Sequence, residues 1–330
     1  NVYEDPRGDA RPWEVDLLPL VLGADEWQWL SKAVAQRAEL LDSVLGDLYG
    51  EQALLKEGLM PPALVYGQAG FQWPCQGIQP VSGRFLHLYA VDLARAPDGG
   101  WWVMADRTQA PSGAGYALQN RLVISRAFPA PFHNLPVTNL AEFFQGFQNS
   151  LASMSPARNE TALCVLLTPG RFNETYFEHV FLARYLGLPL VEGQDLTVRD
   201  DTVYLKTLQG LRRVHAIYRR LDDGFCDPLE LRADSVLGIP GLLGAVRAGK
   251  VLMANALGSG VLESAALFGF LPEISKKLLG SPLAMPSVAS WWCGEKPALD
   301  YVIEHLDELV IKPAFASMRM EPVFGYQMRG

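Results

Sequence analysis

Two carboxylates, Asp92 and Asp106, flank a tight turn in the stretch FLHLYAVDLARAPDGGWWVMADRTQAPSGAGYALQNR, residues 85–121. Phe85 to Leu93 is a strand-like run. Pro97-Asp98-Gly99-Gly100 supplies hairpin chemistry, and Trp101-Trp102-Val103-Met104 runs back as the partner strand. Such a hairpin can hold Asp92 and Asp106 on neighbouring strands, within reach of a common ligand. Paired carboxylates there suit a hard cation such as Mg²⁺, shared with phosphate oxygens. The alternative is a solvent-facing hairpin with ordinary surface acids. A second cluster, Arg219-Arg220-Leu221-Asp222-Asp223, ends the apolar run Val214–Tyr218, and Asp227 extends it. Two guanidiniums and two carboxylates at a strand end suit a zwitterionic ligand, with Arg gripping a carboxylate bidentately, or else form a solvated edge. Arg171 and Asn173 follow another apolar run, where open α/β sheets bind ligands. They would contact a charged substrate, or serve as a solvated Arg and a helix cap. Lys312 leaves the apolar run Leu309-Val310-Ile311, which is costly without an anionic partner. His179 and His215 could act as general bases, but no third residue orients either, so a structural role is expected for both.

The elements that must position these groups follow from pattern. Residues 1–22 are a turn-rich lead-in with a short apolar run around Pro19. A helix from Asp25 carries Trp27, Leu30, Val34, Leu41, Val44, Leu45 and Leu48 on one face. Trp27, Trp29 and Tyr49 read as core or interdomain packing rather than a ligand cage. Helices are expected over 116–127 and 140–154, and 155–160 has linker composition. Ala162–Leu167 reads as a strand buried on both faces. Thr175-x-x-Glu178 fits a capping box that opens a helix over 176–186, stopped by Gly187, and the next strand is 188–192. Residues 196–220 read as antiparallel, with a turn at Asp200-Asp201 and a further strand at 214–218. Lys250–Asn255 is another strand. Gly258-Ser259-Gly260 then leads into a helix over 261–271, a weak anion-binding signal because it lacks the dinucleotide fingerprint. Residues 286–294 are an aromatic loop, and a helix over 298–309 precedes Lys312.

In this order, the hairpin, Thr168-Pro169-Gly170, Asn173 to His179, Tyr218 to Asp223, Ala254 to Val261 and Leu309 to Pro313 resemble the circularly permuted ATP-grasp type 2 family. Its members are similar to glutathionylspermidine synthetases. Each motif is weak alone, but together they cover essentially all 330 residues. The resemblance implies an α/β fold of mixed α+β character, with a pre-ATP-grasp, Rossmann-like domain. It divides the chain into a permuted C-terminal ATP-grasp portion (1–158), an α/β substrate domain (159–280) and the start of the nucleotide subdomain (281–330). It implies ATP and Mg²⁺ as cofactors, Asp92 and Asp106 as metal ligands, and Lys312 on the nucleotide phosphates. Arg219, Arg220, Asp222 and Asp223 would be catalytic. Arg171, Asn173, Asp227 and Asn255 would bind substrate.

The departures from the family pattern matter as much. The second hairpin strand reads Ala105-Asp106-Arg107 where an acid, Asp and Asn are usual, and Arg107 opposes a metal. Gln119 replaces an acid. After Lys312, residues 314–322 are bulkier than a glycine-rich flap. The chain stops 18 residues beyond Lys312, so it reads as part of a longer protein with further C-terminal domains.

An apolar fraction of 49% and a charged fraction of 19% describe a soluble globular chain of about two domains. A net charge of −8 without a basic stripe argues against nucleic acid. No apolar run reaches membrane-spanning length. Cys75, Cys164, Cys226 and Cys293 form no CxxC, so a reducing cytoplasm is the default. The expected activity is ATP-dependent joining of a carboxylate to an amine through an acyl phosphate, on a small-molecule or peptide substrate. The alternative is a degenerate, non-catalytic scaffold that binds a peptide-like ligand or a partner domain. A nucleotide-sugar or dinucleotide enzyme built on the α/β half is a weaker option, since no fingerprint follows Leu167.

Overall fold

The computed structural model describes residues 2–4, 10–12, 16, 18–315 and 321–328. The lead-in residues 5–9 and 13–15, Leu17 of the first apolar run, and 316–320 of the bulky segment after Lys312 lie outside them. The chain divides into two compact units. One comprises Asn1–Gly23, Gln79–Leu88 and Ala110–Ala256; the other comprises Ala24–Ile78, Tyr89–Gln109 and Leu257–Gly330. Residues 155–160 run inside the first unit.

The first unit is built on a parallel sheet. Cys164–Leu167 lies between Leu190–Val191 and Ala216–Arg219, and Leu252–Ala254 flanks the latter. Every residue of Cys164–Leu167, Ala216–Arg219 and Leu252–Ala254 is buried, as apolar runs covered on both faces demand. Helices Ala141–Met154 and Tyr176–Leu186 supply Phe144, Phe147, Leu151, Leu182 and Leu186 to the same core as Leu166, Ala216 and Leu252. Gly187 stops the second of these helices at φ 64°, the left-handed conformation that suits glycine.

Residues 196–220 differ from expectation. Leu196–Arg199, Thr202–Thr207 and Gly210–Arg213 form an antiparallel meander, and Asp200 and Asp201 turn it at φ 49° and 55°. The following strand then leaves the meander and pairs in parallel with Cys164–Leu167. The meander strands are half-exposed while Ala216–Arg219 is wholly buried, so burial separates the two environments.

The second unit contains the long helix Ala24–Leu48. It buries Leu30, Ala33, Arg37, Leu40, Leu41, Val44, Leu45 and Leu48. Trp27 and Trp29 are exposed, outside this stripe, whereas Tyr49 is buried. The hairpin pairs Ala90–Arg95 with Trp101–Arg107. Instead of one helix over 261–271, short 3₁₀ turns cover Ser259–Glu263 and Ala265–Leu267, and a helix follows at Leu271–Leu279. Ser264 accepts the Ala266 N–H and breaks the run, and Pro272 sits in the first turn of the later helix, where its missing N–H costs nothing. The helix before Lys312 is Lys296–Glu304, and Leu306–Glu308 forms a 3₁₀ turn. Val310–Ile311 then pairs with Val323–Phe324. Val310 is exposed and Ile311 half-buried, so the strand below Lys312 is not the buried one its composition suggested. Among the described residues no helix is long and apolar enough to cross a membrane.

Gly258 belongs to packing rather than to an anion-binding turn. It has φ 88°, a Cβ there would overlap the Tyr49 hydroxyl, and that hydroxyl donates to the Gly258 carbonyl at 3.0 Å. Gly258→Ala is expected to cost about 2–4 kcal/mol, combining left-handed strain with overpacking. Urea unfolding measures this, and a loss near zero would mean that the Tyr49 ring moves aside freely.

Candidate functional site

The C-terminal edge of the parallel sheet gathers most of the residues singled out above. Arg219 ends its strand with a fully buried side chain. Its Nη2 pairs with Asp223 at 2.6 Å, and its Nη1, Nη2 and Nε donate to the carbonyls of Leu221 (2.7 Å), Ala256 (3.3 Å) and Asn255 (3.3 Å). This guanidinium clamps three segments at the strand ends. Arg220 is also buried. Its Nη2 donates to Glu178 Oε2 at 3.3 Å, its Nη1 donates to the Pro111 carbonyl, and its Nε is buried without a partner. Glu178 Oε1 accepts the N–H groups of Gly113 and Gly115, each at 2.8 Å. A carboxylate at those amides also complements the positive end of the helix Ala114–Ala127.

Glu178 therefore does not close a capping box. Thr175 makes no side-chain cap bond, and its hydroxyl joins a chain of polar groups instead. Asn173 Oδ1 accepts the Thr175 backbone N–H at 2.9 Å and the Thr175 hydroxyl at 2.7 Å. A backbone N–H can only donate, so the oxygen's identity is fixed. The Thr175 hydroxyl, having donated, must accept from His179 Nε2 at 3.1 Å. Nδ1 is then the bare nitrogen and accepts from the Thr168 hydroxyl at 2.9 Å, while Thr168 Oγ1 accepts the Gly170 N–H at 3.1 Å. Asn173 thereby sets the tautomer of a buried histidine beside the turn after Cys164–Leu167.

Burial, and then the Arg220 charge, push the His179 imidazolium pKa down to about 3 from 6.5. The unfolded chain thus binds this proton before the folded chain does. Stability is full above about 6.5 and falls as pH drops toward 3, by at most about 1.4 kcal/mol per pH unit. Urea titrations at pH 7 and pH 5 should show this slope, and His179→Gln should flatten it. An unchanged slope in that variant would assign the acid sensitivity to other groups.

The other candidates at this edge have mixed fates. Asn255 is buried, and its side chain is taken up by backbone: Oδ1 accepts His87 and Leu88 N–H at 2.7 and 2.9 Å, and Nδ2 donates to the Leu88 carbonyl at 2.7 Å. Asp227 is buried as well, and its oxygens go to backbone. Its Oδ1 accepts from Leu229 and Gly241, and its Oδ2 accepts from Leu243 at 2.9 Å. Arg171 and Asp222 are exposed, and Arg171 lies 4.8 Å from the Phe172 ring centroid. His215 is structural and stands at the opposite edge of the sheet. Its Nδ1 accepts the Leu163 N–H at 3.0 Å, so Nε2 carries the proton toward Glu160 at 2.8 Å.

In the second unit, the hairpin separates the two carboxylates. Asp92 pairs with Ala105, and Asp106 pairs with Val91, so neighbouring register positions place the aspartates on opposite faces. Asp92 is exposed and ion-paired with Arg107 at 2.7 Å. Asp106 is buried. Its Oδ1 and Oδ2 each take a 2.7 Å bond from Arg37, and Oδ1 also accepts from the Tyr89 hydroxyl at 2.5 Å. Burial, and then the Asp106 charge, push the Tyr89 phenol pKa well up. These carboxylates do not fit a shared Mg²⁺, because a guanidinium already occupies both oxygens of one and the other faces away. Among the described residues no cluster of His, Cys, Asp or Glu has metal-binding geometry. Lys312 is exposed, and among the described residues it has no hydrogen-bond or ion-pair partner, so its ammonium can meet a phosphate.

Sequence reasoning missed Arg37 and Tyr89, read Thr175 and Glu178 as a capping box, and gave Thr168 no bonding role. One signal was available for Arg37, which falls between Ala33 and Leu40 on an apolar helical stripe. A charge at such a position requires a buried partner.

A family model for circularly permuted ATP-grasp type 2 proteins matches residues 19–330. An uncharacterized protein of Synechocystis is 39% identical over 314 residues, covering 95% of this chain and 65% of that protein. Two uncharacterized proteins of Mycobacterium tuberculosis are similar too. One is 40% identical over 301 residues, covering 91% of this chain and 34% of its own length. The other is 37% identical over 318 residues, covering 96% and 58%. The chain thus spans about one third to two thirds of the length of these relatives.

Proposed function

The chain belongs to the circularly permuted ATP-grasp type 2 family, and from that premise we propose that it serves a cytoplasmic ATP-dependent ligation of a carboxylate to an amine. ATP would supply the phosphoryl group that activates the substrate carboxylate as an acyl phosphate. Lys312 would offset phosphate charge, since its ammonium is exposed. The observation that carries the reading is the strand edge, where the buried Arg219–Asp223 pair fixes the turn that carries exposed Asp222, and the Arg220–Glu178 pair anchors the helix that follows exposed Arg171. Those two opposite charges would orient a substrate bearing both a carboxylate and an amine. The amine would then attack the acyl carbon, phosphate would leave, and an amide would form. No step is assigned to the hairpin carboxylates.

In the full-length protein, Lys312→Ala is expected to weaken ATP binding about tenfold or more, read by calorimetry. Unchanged affinity would remove Lys312 from the role. The second reading, a non-catalytic scaffold for a peptide-like ligand, is favoured by the Arg37–Asp106 pair, which holds a family metal position closed. Amine-dependent ADP release separates the two readings. Its absence across amine and carboxylate pairs, in protein that binds such a pair, would select the scaffold.

A further inference from the structure

The opposite edge of the parallel sheet holds a cavity of about 590 Å³. It is lined by Arg158, Glu160, Arg213 and Lys250, together with small groups such as Pro156 and Ala248. The three cations are placed by topology. Glu160 and Arg158 precede the strand Cys164–Leu167, Arg213 precedes Ala216–Arg219, and Lys250 precedes Leu252–Ala254. These are three adjacent strands of one parallel sheet, so their approach segments meet at its N-terminal edge.

We propose that this cavity binds a phosphate dianion, either free or as the ester of a polar, non-aromatic small molecule. The charge balance favours a dianion. Arg158, Arg213 and Lys250 face a single carboxylate, Glu160, which is already taken by Arg213 at 3.0 Å and by His215 at 2.8 Å. His215 is neutral there, because its Nδ1 accepts the Leu163 N–H. Lys250 Nζ donates to the Asp200 carbonyl at 3.0 Å and has further donors to give. One feature points to a missing partner: among the described residues Arg213 Nε is buried and bonds to nothing. Arg158 is exposed and, among the described residues, has no hydrogen bond or ion pair, so its guanidinium is available to an anion. An unsatisfied buried guanidinium N–H is costly, and a phosphate oxygen would satisfy it. The cavity is larger than an inorganic ion needs and lies within the usual small-molecule range. Among the described residues no aromatic ring lines it, so they offer no stacking surface for a nucleobase. Its residues are distinct from those of the proposed ligation site.

The test is calorimetric titration of inorganic phosphate, ribose 5-phosphate, ribose and acetate into the protein at low ionic strength. Saturable binding of a phosphate compound, but not of ribose or acetate, is expected. Arg213→Gln and Arg158→Gln should each weaken it about tenfold, and added salt should weaken it further. Arg158 is exposed and, among the described residues, unpaired, so Arg158→Gln tests the idea even if the Arg213 variant unfolds. Arg171→Gln, at the other edge, should leave affinity for the phosphate compound unchanged. Equal affinity for both phosphate compounds assigns the free ion, and tighter ribose 5-phosphate assigns an ester. No saturation at about 10 mM, or binding indifferent to Arg158→Gln, overturns the site. Loss of binding in Arg171→Gln would overturn it as well, by moving the phosphate to the ligation edge.

Discussion

Arg37→Met is expected to destabilise the protein by about 3–5 kcal/mol, because it leaves the Asp106 carboxylate buried and without its countercharge. The pair is closed on every side that counts. Arg37 and Asp106 side chains are 1% and 0% exposed, two 2.7 Å bonds join them, and the Tyr89 hydroxyl adds a third at 2.5 Å. The guanidinium also lies 5.2 Å from the Phe268 ring centroid. A buried pair of this kind need not stabilise relative to apolar replacements, so the informative partner is the double variant. Arg37→Met with Asp106→Leu should recover most of the loss, because neither charge is then stranded. Guanidinium unfolding of the two single variants and the double variant measures this. A loss below about 1 kcal/mol in Arg37→Met would mean that water or another cation reaches Asp106. The same variants bear on the metal question. If Asp106 serves Arg37 alone, Mg²⁺ should shift the melting temperature of Asp106→Asn as little or as much as it shifts that of the parent.

The hairpin shows what sequence can and cannot convey. Its existence and turn followed from Pro97-Asp98-Gly99-Gly100, but the first strand begins at Ala90 rather than Phe85 and runs on to Arg95, pairing with Trp101–Arg107. Which face each carboxylate takes depends on register, and the register shifts at a bulge between Asp92 and Leu93. No local pattern announces that shift. The apolar runs at 164–167 and 252–254, the helix at 176–186 and its Gly187 stop were legible because burial and turn chemistry are local demands. The fate of Val214–Tyr218 was not, since its neighbours in the sheet come from some fifty residues earlier and nearly forty later. Among the site residues, residue type signalled chemistry where the fold uses several as fasteners. Arg219, Asp227 and Asn255 spend their polar atoms on backbone. A buried polar group is satisfied by whatever the fold brings near, and sequence names the group without naming the partner.

Glu178 carries the other large effect. Glu178→Ala is expected to cost about 3–5 kcal/mol, as much as a large core truncation, because three partners lose their acceptor together. The N–H groups of Gly113 and Gly115 each give a 2.8 Å bond to Oε1, and Arg220 gives a 3.3 Å bond to Oε2. With Glu178 side chain 1% exposed and Arg220 2%, water cannot readily replace the carboxylate. The glycine at 115 belongs to the same arrangement, since a Cβ there would lie 2.7 Å from Glu178 Cγ. Glu178→Gln separates charge from shape. It keeps an oxygen for the two amides but turns an NH₂ toward Arg220, donor against donor, so about half the loss should remain. Because Arg220 is next to Arg219 at the strand end, the damage should reach the proposed substrate edge before the protein unfolds. Under conditions where Glu178→Gln is still folded, substrate affinity should fall while affinity for ATP is kept. Equal losses of both would mean that the carboxylate holds the fold as a whole rather than the strand edge. Full stability in Glu178→Ala would mean that Arg220 finds another acceptor, and the buried pair would then not be what fixes this edge.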